Sequence, residues 1–193
     1  MMIIHYFPTL YEFFVNTLHG SQRYDLAAEI IGSKSVLDIG CGTGLLADYV
    51  SDQASYQGLD LNSRLLGRAQ TKGLNVGRMD CLNVEDYPEK DVYFICDLLH
   101  HINPDHARFV NKLVNRFPNK MIIVCEPYTT GNWIYEQIVK VLDYDYVNGL
   151  WRPEWYDEKE LRDFYNSLLQ PERIIEVGDD LIAVRFGDDA DNC

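Results

Sequence analysis

Short apolar runs alternate along the chain with longer stretches in which apolar residues recur every three or four positions. The short runs predict buried strands, and the longer stretches predict amphipathic helices. Five predicted strands cover residues 35–39, 56–60, 75–79, 92–96 and 121–125. Two further runs, 173–177 and 181–186, flank a Gly-Asp-Asp turn and predict a closing β-hairpin. The expected fold class is α/β, with helices on both faces of a Rossmann-like, mostly parallel sheet.

Capping residues mark several of the helices between these strands. The predicted helices cover residues 9–19, 21–31, 45–50, 63–72, 104–117, 130–142 and 158–169. Asn103 and Pro104 favour a helix start, with Asn at the N-cap and Pro in the first turn. Asp157 and Glu160 have the spacing of a capping box and predict the start of the last helix.

The length and composition suit one compact globular domain. The chain has 193 residues, of which 47% are hydrophobic and 24% are charged. We expect a single domain over residues 1–193. It would contain N-terminal helices (1–34), a ligand-binding core (35–127), further helices with an aromatic connection (128–170) and the hairpin (171–186).

The charge balance narrows the choice of partners. Thirty Asp and Glu residues against seventeen Lys and Arg residues give a formal net charge of −13. Proteins that bind nucleic acid use a basic face to replace counterions, and this chain has no run rich in Lys or Arg. Nucleic acids and anionic membranes are therefore disfavoured as partners. The sequence does not indicate an oligomeric state.

The termini and cysteines predict a location in the cytoplasm. No apolar run approaches the ~18 residues of a membrane span, and the first residues lack the basic segment of a signal peptide. The five cysteines are odd in number and include no C-x-x-C pair, which favours free thiols in a reducing compartment. Four of them fall at strand ends, where small buried residues are a simpler interpretation than a metal site, so no metal is expected.

A glycine loop follows the first predicted strand in the segment VLDIGCGTG (36–44). Glycines at this point let the backbone turn tightly and approach a ligand. Asp60 ends the next strand, twenty residues after Gly40, where an acid can accept hydrogen bonds from both hydroxyls of a ribose. Asp38 would repel a pyrophosphate and suits a ligand with an ammonium or sulfonium group. Leu45 stands where a dinucleotide fingerprint has its third glycine.

These motifs together resemble the class I S-adenosylmethionine-dependent methyltransferases, particularly small-molecule enzymes with Leu-His-His after the fourth strand. VLDIGCGTG is similar to the first motif of that family, GLDLN (58–62) to the second, MDCLNV (79–84) to the third and ICDLLHHI (95–102) to the fourth. The resemblance covers residues 33–127. It implies an enzyme, a seven-stranded sheet with one antiparallel strand, and S-adenosyl-L-methionine as cofactor.

The resemblance also implies roles for individual residues. Asp60 would hold the ribose, Asp80 would read the adenine amino group, and the Cys81 N–H would face the ring. Asp97 would hold the methionine end of the cofactor. Arg23 is a candidate for the cofactor carboxylate, because a guanidinium fork suits carboxylates; the alternative is a surface arginine on an amphipathic helix. The complete predicted cofactor-binding set is Asp38, Gly40, Cys41, Gly42, Gly44, Asp60, Leu61, Asp80, Cys81, Asp97 and Arg23.

Two adjacent histidines, His100 and His101, are the candidate catalytic residues. They follow the fourth strand near the expected methyl group, and histidine is the natural base near neutral pH. His101 is slightly preferred, and Asp97 is an alternative base. Both histidines have a structural interpretation as well, with one capping the next helix and the other packed beneath the loop.

The expected activity is methyl transfer to an oxygen, nitrogen or carbon atom of a small-molecule acceptor. The alternatives are a protein or RNA acceptor, and a cofactor-binding partner subunit without catalysis. A dehydrogenase is disfavoured by Asp38 and the closing hairpin. Aromatic residues after the fifth strand are candidates for an acceptor pocket, or for a small second core: Trp133, Tyr135, Tyr144, Tyr146, Trp151, Trp155 and Tyr156.

Overall fold

A seven-stranded sheet forms the centre of the structure, a computed structural model that describes residues 8–18, 20–52, 55–129 and 156–187. The strands are β1 (Val36–Ile39), β2 (Tyr56–Asp60), β3 (Val76–Arg78), β4 (Val92–Cys96), β5 (Met121–Pro127), β6 (Arg173–Val177) and β7 (Asp180–Arg185). Their order across the sheet is β3-β2-β1-β4-β5-β7-β6. β7 runs antiparallel to both of its neighbours, while β1 to β5 are parallel. The expected mostly parallel sheet with a closing antiparallel hairpin is confirmed.

The central strands are the most apolar ones because both of their faces are covered. Every residue of β1, β4 and β5 is buried. β1 pairs with β2 on one side and β4 on the other, so the direction of strand progression reverses at the β1–β4 pair. In open α/β sheets, ligands bind beyond the carboxyl ends of the strands at such a reversal. This edge of the sheet is therefore where the site is sought.

Helices cover both faces of the sheet, as expected. The α-helices are α1 (Pro8–Leu18), α2 (Gln22–Ile31), α3 (Ser63–Thr71), α4 (His106–Arg116) and α5 (Glu158–Leu168). Short 3₁₀ helices cover Leu45–Asp48, Val84–Asp86 and Leu99–His101. Residues of α2 and α3 join one apolar core cluster, and residues of α4 and α5 join a second cluster on the other face. Burial of these two apolar faces is the main force that holds the helices on the sheet.

Two of the predicted helix starts are confirmed in atomic detail. Asn62 accepts hydrogen bonds from the N–H groups of Arg64 and Leu65 and so caps α3 directly after β2. Asp157 and Glu160 form the reciprocal capping box expected at the start of α5.

The predicted helix start at Asn103 and Pro104 is wrong. The Asp105 N–H donates to the Ile102 carbonyl at 2.7 Å, so a turn separates the preceding 3₁₀ helix from α4. α4 begins at His106, with Asp105 at its N-cap. The Asn-Pro pattern suits a turn as well as a helix start, and tertiary structure selects the turn.

Several predicted segments lie outside the described residues. These are the helix over residues 130–142, nearly all of the aromatic connection 143–156, the first seven residues and the acidic tail. Among the described helices, none is long and apolar enough to span a bilayer.

Candidate active site

The glycine loop after β1 is built from residues with left-handed backbone. Gly40, Gly42 and Gly44 have φ angles of 77°, 55° and 74°. The Gly40 N–H donates to the Leu59 carbonyl at 2.7 Å, which ties the loop to the end of β2. A Cβ atom on Gly40 would lie 3.0 Å from a methyl group of Leu98. The loop therefore presents backbone rather than side chains at the carboxyl end of β1.

Asp60 connects this loop to the end of β2. One carboxylate oxygen accepts the Gly42 N–H at 2.8 Å, and the other accepts the Asn62 N–H at 2.7 Å. Burial raises the pKa of Asp60, and these two donors and the nearby His101 oppose that shift. Each carboxylate oxygen can accept more than one hydrogen bond, so the fixed carboxylate can also receive ligand hydroxyls. The adjacent Leu61 side chain is 50% exposed and offers an apolar surface beside it.

The loop after β3 brings Asp80 and Cys81 towards Asp60. Asp80 accepts the Leu82 N–H at 2.9 Å, and the Tyr87 hydroxyl donates to the Cys81 carbonyl at 2.6 Å. Burial and the charges of Asp80 and Asp60 raise the pKa of the Cys81 thiol to about 12. The Met79 N–H donates to the Asp60 carbonyl at 3.1 Å, which places the second and third sequence motifs together at one edge of the sheet.

Asp38 lies inside the protein rather than on the loop surface. It is buried, and the Tyr56 hydroxyl donates to its carboxylate at 2.7 Å. Burial raises the pKa of Asp38 to about 7; the Tyr56 hydrogen bond opposes this shift, and the charge of Asp60 adds to it. The partner that the structure shows for Asp38 belongs to the protein. A contact between Asp38 and a cationic ligand stays a prediction.

A buried ion pair occupies the end of β4. The two terminal nitrogens of Arg23 donate to the two carboxylate oxygens of Asp97, at 2.6 Å and 3.1 Å. Burial lowers the pKa of Arg23, but the charge of Asp97 and smaller contributions from neighbouring groups together outweigh this effect, and the pKa is raised overall. Arg23 is 0% exposed, so its interpretation as a surface arginine is wrong. Because both terminal nitrogens bind carboxylates, the geometry favours a positioning role over the direct cofactor contact predicted for Arg23.

Asp180 is a third member of this cluster that the sequence did not reveal. It begins β7, is buried, and lies 3.4 Å from a terminal nitrogen of Arg23. Burial raises the pKa of Asp180 to about 7, against the lowering effect of Arg23. The sequence pattern predicts Asp180 to be a turn residue of the hairpin. The available signal was an acid directly before the apolar run LIAV (181–184).

Glu126 organises the segment after β4, and the sequence did not reveal it either. One of its oxygens accepts the N–H groups of Leu98 and Leu99 at 2.7 Å and 2.8 Å. The other lies 2.7 Å from Nδ1 of His100. Glu126 is itself buried near the end of β5. A single charge within the apolar run MIIVCEP was the signal that could have identified it.

The two histidines have different surroundings. The rings of His100 and His101 lie 4.1 Å apart, but His100 is buried and His101 is only partly buried. His101 influences the pKa of Asp60, whereas His100 contacts Glu126. Neither histidine caps α4, because Asp105 occupies that position. The histidine pair therefore lies between the β1–β2 half of the site and the end of β5.

Thr43 is a further residue that the sequence interpretation did not single out. It lies in the glycine loop and is fully buried. Its hydroxyl has no hydrogen-bond partner among the described residues. A buried polar atom without a partner is costly, and a ligand bound at the loop is one means of satisfying it.

The cysteines at the strand ends do not form a ligand cluster. Cys41, Cys81, Cys96 and Cys125 are free thiols. Cys96 and Cys125 face each other in the register of β4 and β5. Within the described ranges, no group of three His, Cys, Asp or Glu residues is arranged to hold a metal ion.

Comparison with known proteins agrees with this geometry. Residues 36–117 match the family model described as a methyltransferase domain. No curated protein matches the sequence.

Solved structures resemble the whole fold at low sequence identity. The methyltransferase domain of bacterial CtHen1 superposes with a TM-score of 0.67 at 16% identity, covering 86% of this chain and 98% of that one. Magnesium protoporphyrin IX methyltransferase from Synechocystis PCC 6803, with bound S-adenosylhomocysteine, gives 0.59 at 18% identity, covering 87% and 84%. The small RNA methyltransferase HEN1 gives 0.63 at 18% identity, covering 88% and 25%.

The match to the methyltransferase-domain model covers β1, the glycine loop and β4, which meet at the switch point of the sheet. It agrees with the resemblance of the sequence motifs to the class I S-adenosylmethionine-dependent methyltransferases. S-adenosylmethionine is the cofactor that this resemblance implies.

The residues at the strand ends fit the parts of this cofactor. The Asp60 carboxylate suits the two ribose hydroxyls, the exposed Leu61 suits a face of the purine, and the Asp97 carboxylate suits an ammonium group. The Thr43 hydroxyl of the glycine loop is buried and has no hydrogen-bond partner among the described residues. The individual cofactor contacts stay predictions.

Proposed function

We propose that the enzyme methylates a small-molecule acceptor whose reacting atom carries a proton, and that His100 accepts this proton. The observation that carries the proposal is the 2.7 Å contact between Nδ1 of His100 and the Glu126 carboxylate. This geometry moves the preference from His101, which the sequence slightly favoured, to His100.

A carboxylate on Nδ1 gives an imidazole a defined function. It fixes the proton on Nδ1, which leaves the lone pair on Nε2 to act as a base, and it stabilises the imidazolium that forms. Glu126 is itself held by the N–H groups of Leu98 and Leu99, so it cannot swing away from the ring without losing both bonds. The pair therefore has the fixed orientation that proton transfer requires.

The other residues of the site position the two reactants. S-adenosylmethionine supplies a methyl group on a sulfonium, which is electrophilic without further activation. Asp60 would hold the ribose, Leu61 would pack against the purine, and Asp97 would hold the ammonium group. Together these contacts would set the direction from which the acceptor atom must approach.

A small acceptor agrees best with the charge of the chain. The formal net charge of −13 opposes the approach of a polyanion such as RNA. Similar folds act on both classes of acceptor, since one neighbour is a magnesium protoporphyrin IX methyltransferase and another is a small RNA methyltransferase. The likeness of fold therefore does not choose between them, and charge favours the small molecule.

The test combines an acceptor search with matched histidine variants. The purified protein is incubated with methyl-labelled cofactor and a cell extract, and the products are separated by size. We expect label in the small-molecule fraction. Label confined to RNA or to protein would contradict a small acceptor.

The role of His100 is then tested with the unlabelled small-molecule fraction of the extract as acceptor and with methyl-labelled cofactor. His100→Gln should lower turnover by about 100-fold, the usual contribution of a general base, with cofactor affinity preserved. His101→Gln is the matched control and should have a smaller effect. A larger loss in His101→Gln would return the base to His101, and unchanged turnover in both variants would refute a histidine base.

A further inference from the structure

We propose that Arg23 and Asp180 are positioning residues for Asp97. Arg23 fixes the Asp97 carboxylate where it can receive the ammonium group of the cofactor, and Asp180 fixes Arg23. The proposal rests on the cofactor-binding role assigned to Asp97 and extends it to two residues from opposite ends of the chain.

The first observation is the pair of hydrogen bonds that Arg23 donates to Asp97. Two nitrogens of the guanidinium contact the two oxygens of the carboxylate, an arrangement that fixes the plane as well as the place of the acid. Asp97 itself has a left-handed backbone, with φ 52°, and its N–H donates to the Cys125 carbonyl at 3.1 Å. An unusual backbone conformation that the surroundings enforce is characteristic of functional positions.

The second observation is the difference in exposure between the two partners. The Arg23 side chain is 0% exposed, and the Asp97 side chain is 19% exposed. The guanidinium therefore lies behind the carboxylate, and the carboxylate is the member of the pair that a ligand can reach. A residue that only joined α2 to the sheet would not need its partner acid at the open end of β4.

The third observation is that Asp180 restrains Arg23 from the other side. The Asp180 carboxylate lies 3.4 Å and 3.5 Å from the same nitrogen that contacts Asp97. Arg23 thus bridges acids that are 74 and 157 residues away in the chain. The start of the closing hairpin is in this way connected to the end of β4 through a single side chain.

The pH dependence of ligand binding can test the link between Asp97, Arg23 and Asp180, because Asp180 is buried among charged groups. The charged and titratable groups near it among the described residues are Arg23, Asp97, Asp179, Glu126, Tyr165, Cys96 and Cys125. Burial raises the pKa of Asp180 to about 7. An ammonium group arriving beside Asp97 favours ionised Asp180, so its binding should release protons near pH 7 and strengthen as the pH rises.

The experiment compares two ligands by titration calorimetry. S-adenosylhomocysteine carries the amino-acid end, and 5′-methylthioadenosine has the same nucleoside without it. Arg23→Lys keeps the charge but loses the fork. We expect this substitution to lower the affinity for S-adenosylhomocysteine at least tenfold. The affinity for 5′-methylthioadenosine should stay within twofold of the wild-type value.

Asp180→Asn is the second variant, because Asn has nearly the same shape as Asp. It keeps the proposal testable if Arg23→Lys fails to fold. We expect a several-fold loss of affinity for S-adenosylhomocysteine. The pH dependence of this affinity between pH 6 and 8, beyond that of 5′-methylthioadenosine, should also be lost. Asp163→Asn, at an exposed position of α5, is the control and should behave like the wild type. Equal weakening of both ligands, or an unchanged pH dependence in Asp180→Asn, would overturn the proposal.

A separate variant distinguishes failure of this proposal from failure of the role given to Asp97. Asp97→Asn should weaken S-adenosylhomocysteine selectively if Asp97 receives the ammonium group. A selective loss in Asp97→Asn without one in Arg23→Lys and Asp180→Asn would refute only the positioning role. The acceptor and the base are tested by turnover and do not enter this measurement.

Discussion

The two halves of the ligand-binding edge are built on different principles. At the ends of β1, β2 and β3, contacts join neighbouring motifs of the chain, such as those of Asp60 with Gly42 and Asn62, which are 18 and 2 positions away. At the ends of β4, β5 and β7, buried charged side chains meet across long stretches of sequence, as Arg23 does with Asp97. The first half has backbone and the partly exposed Asp60 and Asp80 at its surface, with Asp38 buried behind them. The second half holds its charges inside the protein.

This difference has an energetic consequence. Removing one member of a buried ion pair leaves the other as an uncompensated charge in a low-dielectric environment, which is strongly destabilising. Removing a partly exposed acid leaves a gap that water can fill. Substitutions in the β4–β5–β7 half should therefore affect folding most, and those in the β1–β3 half should affect mainly ligand affinity.

The largest expected effect is that of Arg23→Met. The substitution leaves Asp97 and Asp180 without the cation that they share, so we expect a loss of about 3–5 kcal/mol in the free energy of unfolding, measured in urea. Arg162→Met is the control, because its ion pairs are partly exposed, and it should cost less than about 1 kcal/mol. Equal losses in the two variants would remove the distinction between the halves.

Asp60→Ala should affect binding more than folding. The ribose loses a charged hydrogen-bond acceptor, each such bond being worth about 1.5–3 kcal/mol, so S-adenosylhomocysteine affinity should fall at least tenfold. Titration calorimetry measures the affinity, and urea unfolding checks that the fold persists. Unchanged affinity would refute the ribose assignment of Asp60.

Asp38→Asn should change the pH dependence of stability. The pKa of Asp38 is about 7 in the folded protein, above the usual value of an unfolded Asp, so the folded state binds more protons between about pH 4 and 7. This contribution therefore declines as the pH rises through that window, by at most about 1.4 kcal/mol per pH unit.

The wild type should accordingly lose stability more steeply than Asp38→Asn between pH 4 and 7, as measured by urea unfolding at a series of pH values. Asp25→Asn, an exposed control, should follow the wild type. Parallel curves for wild type and Asp38→Asn would show that Asp38 titrates normally.

The smallest effect is expected from Leu61→Ser. The side chain is half exposed, so its removal should change the free energy of unfolding by less than about 0.5 kcal/mol. Loss of the contact proposed between Leu61 and the purine should lower S-adenosylhomocysteine affinity by less than about tenfold. A larger loss of stability would mean that Leu61 supports the fold rather than the ligand.

The same contrast explains what the sequence could predict. Patterns of residues a few positions apart could predict the strands, the glycine loop, the position of Asp60 at the end of β2, and the caps at Asn62 and Asp157. The expected sheet is confirmed. Glu126 and Asp180 were missed because their partners are distant in the chain. Burial of Arg23 was missed for the same reason, since a helix pattern does not reveal which acid will face it.

The most direct test of the central claim is titration calorimetry of the purified wild-type protein with S-adenosylhomocysteine, and with NAD as the control dinucleotide. We expect micromolar binding of S-adenosylhomocysteine and none of NAD, because the strand ends suit a nucleoside with an amino-acid tail and Leu45 stands where a dinucleotide fingerprint has its third glycine. Absence of S-adenosylhomocysteine binding, or equal binding of NAD, would contradict the account.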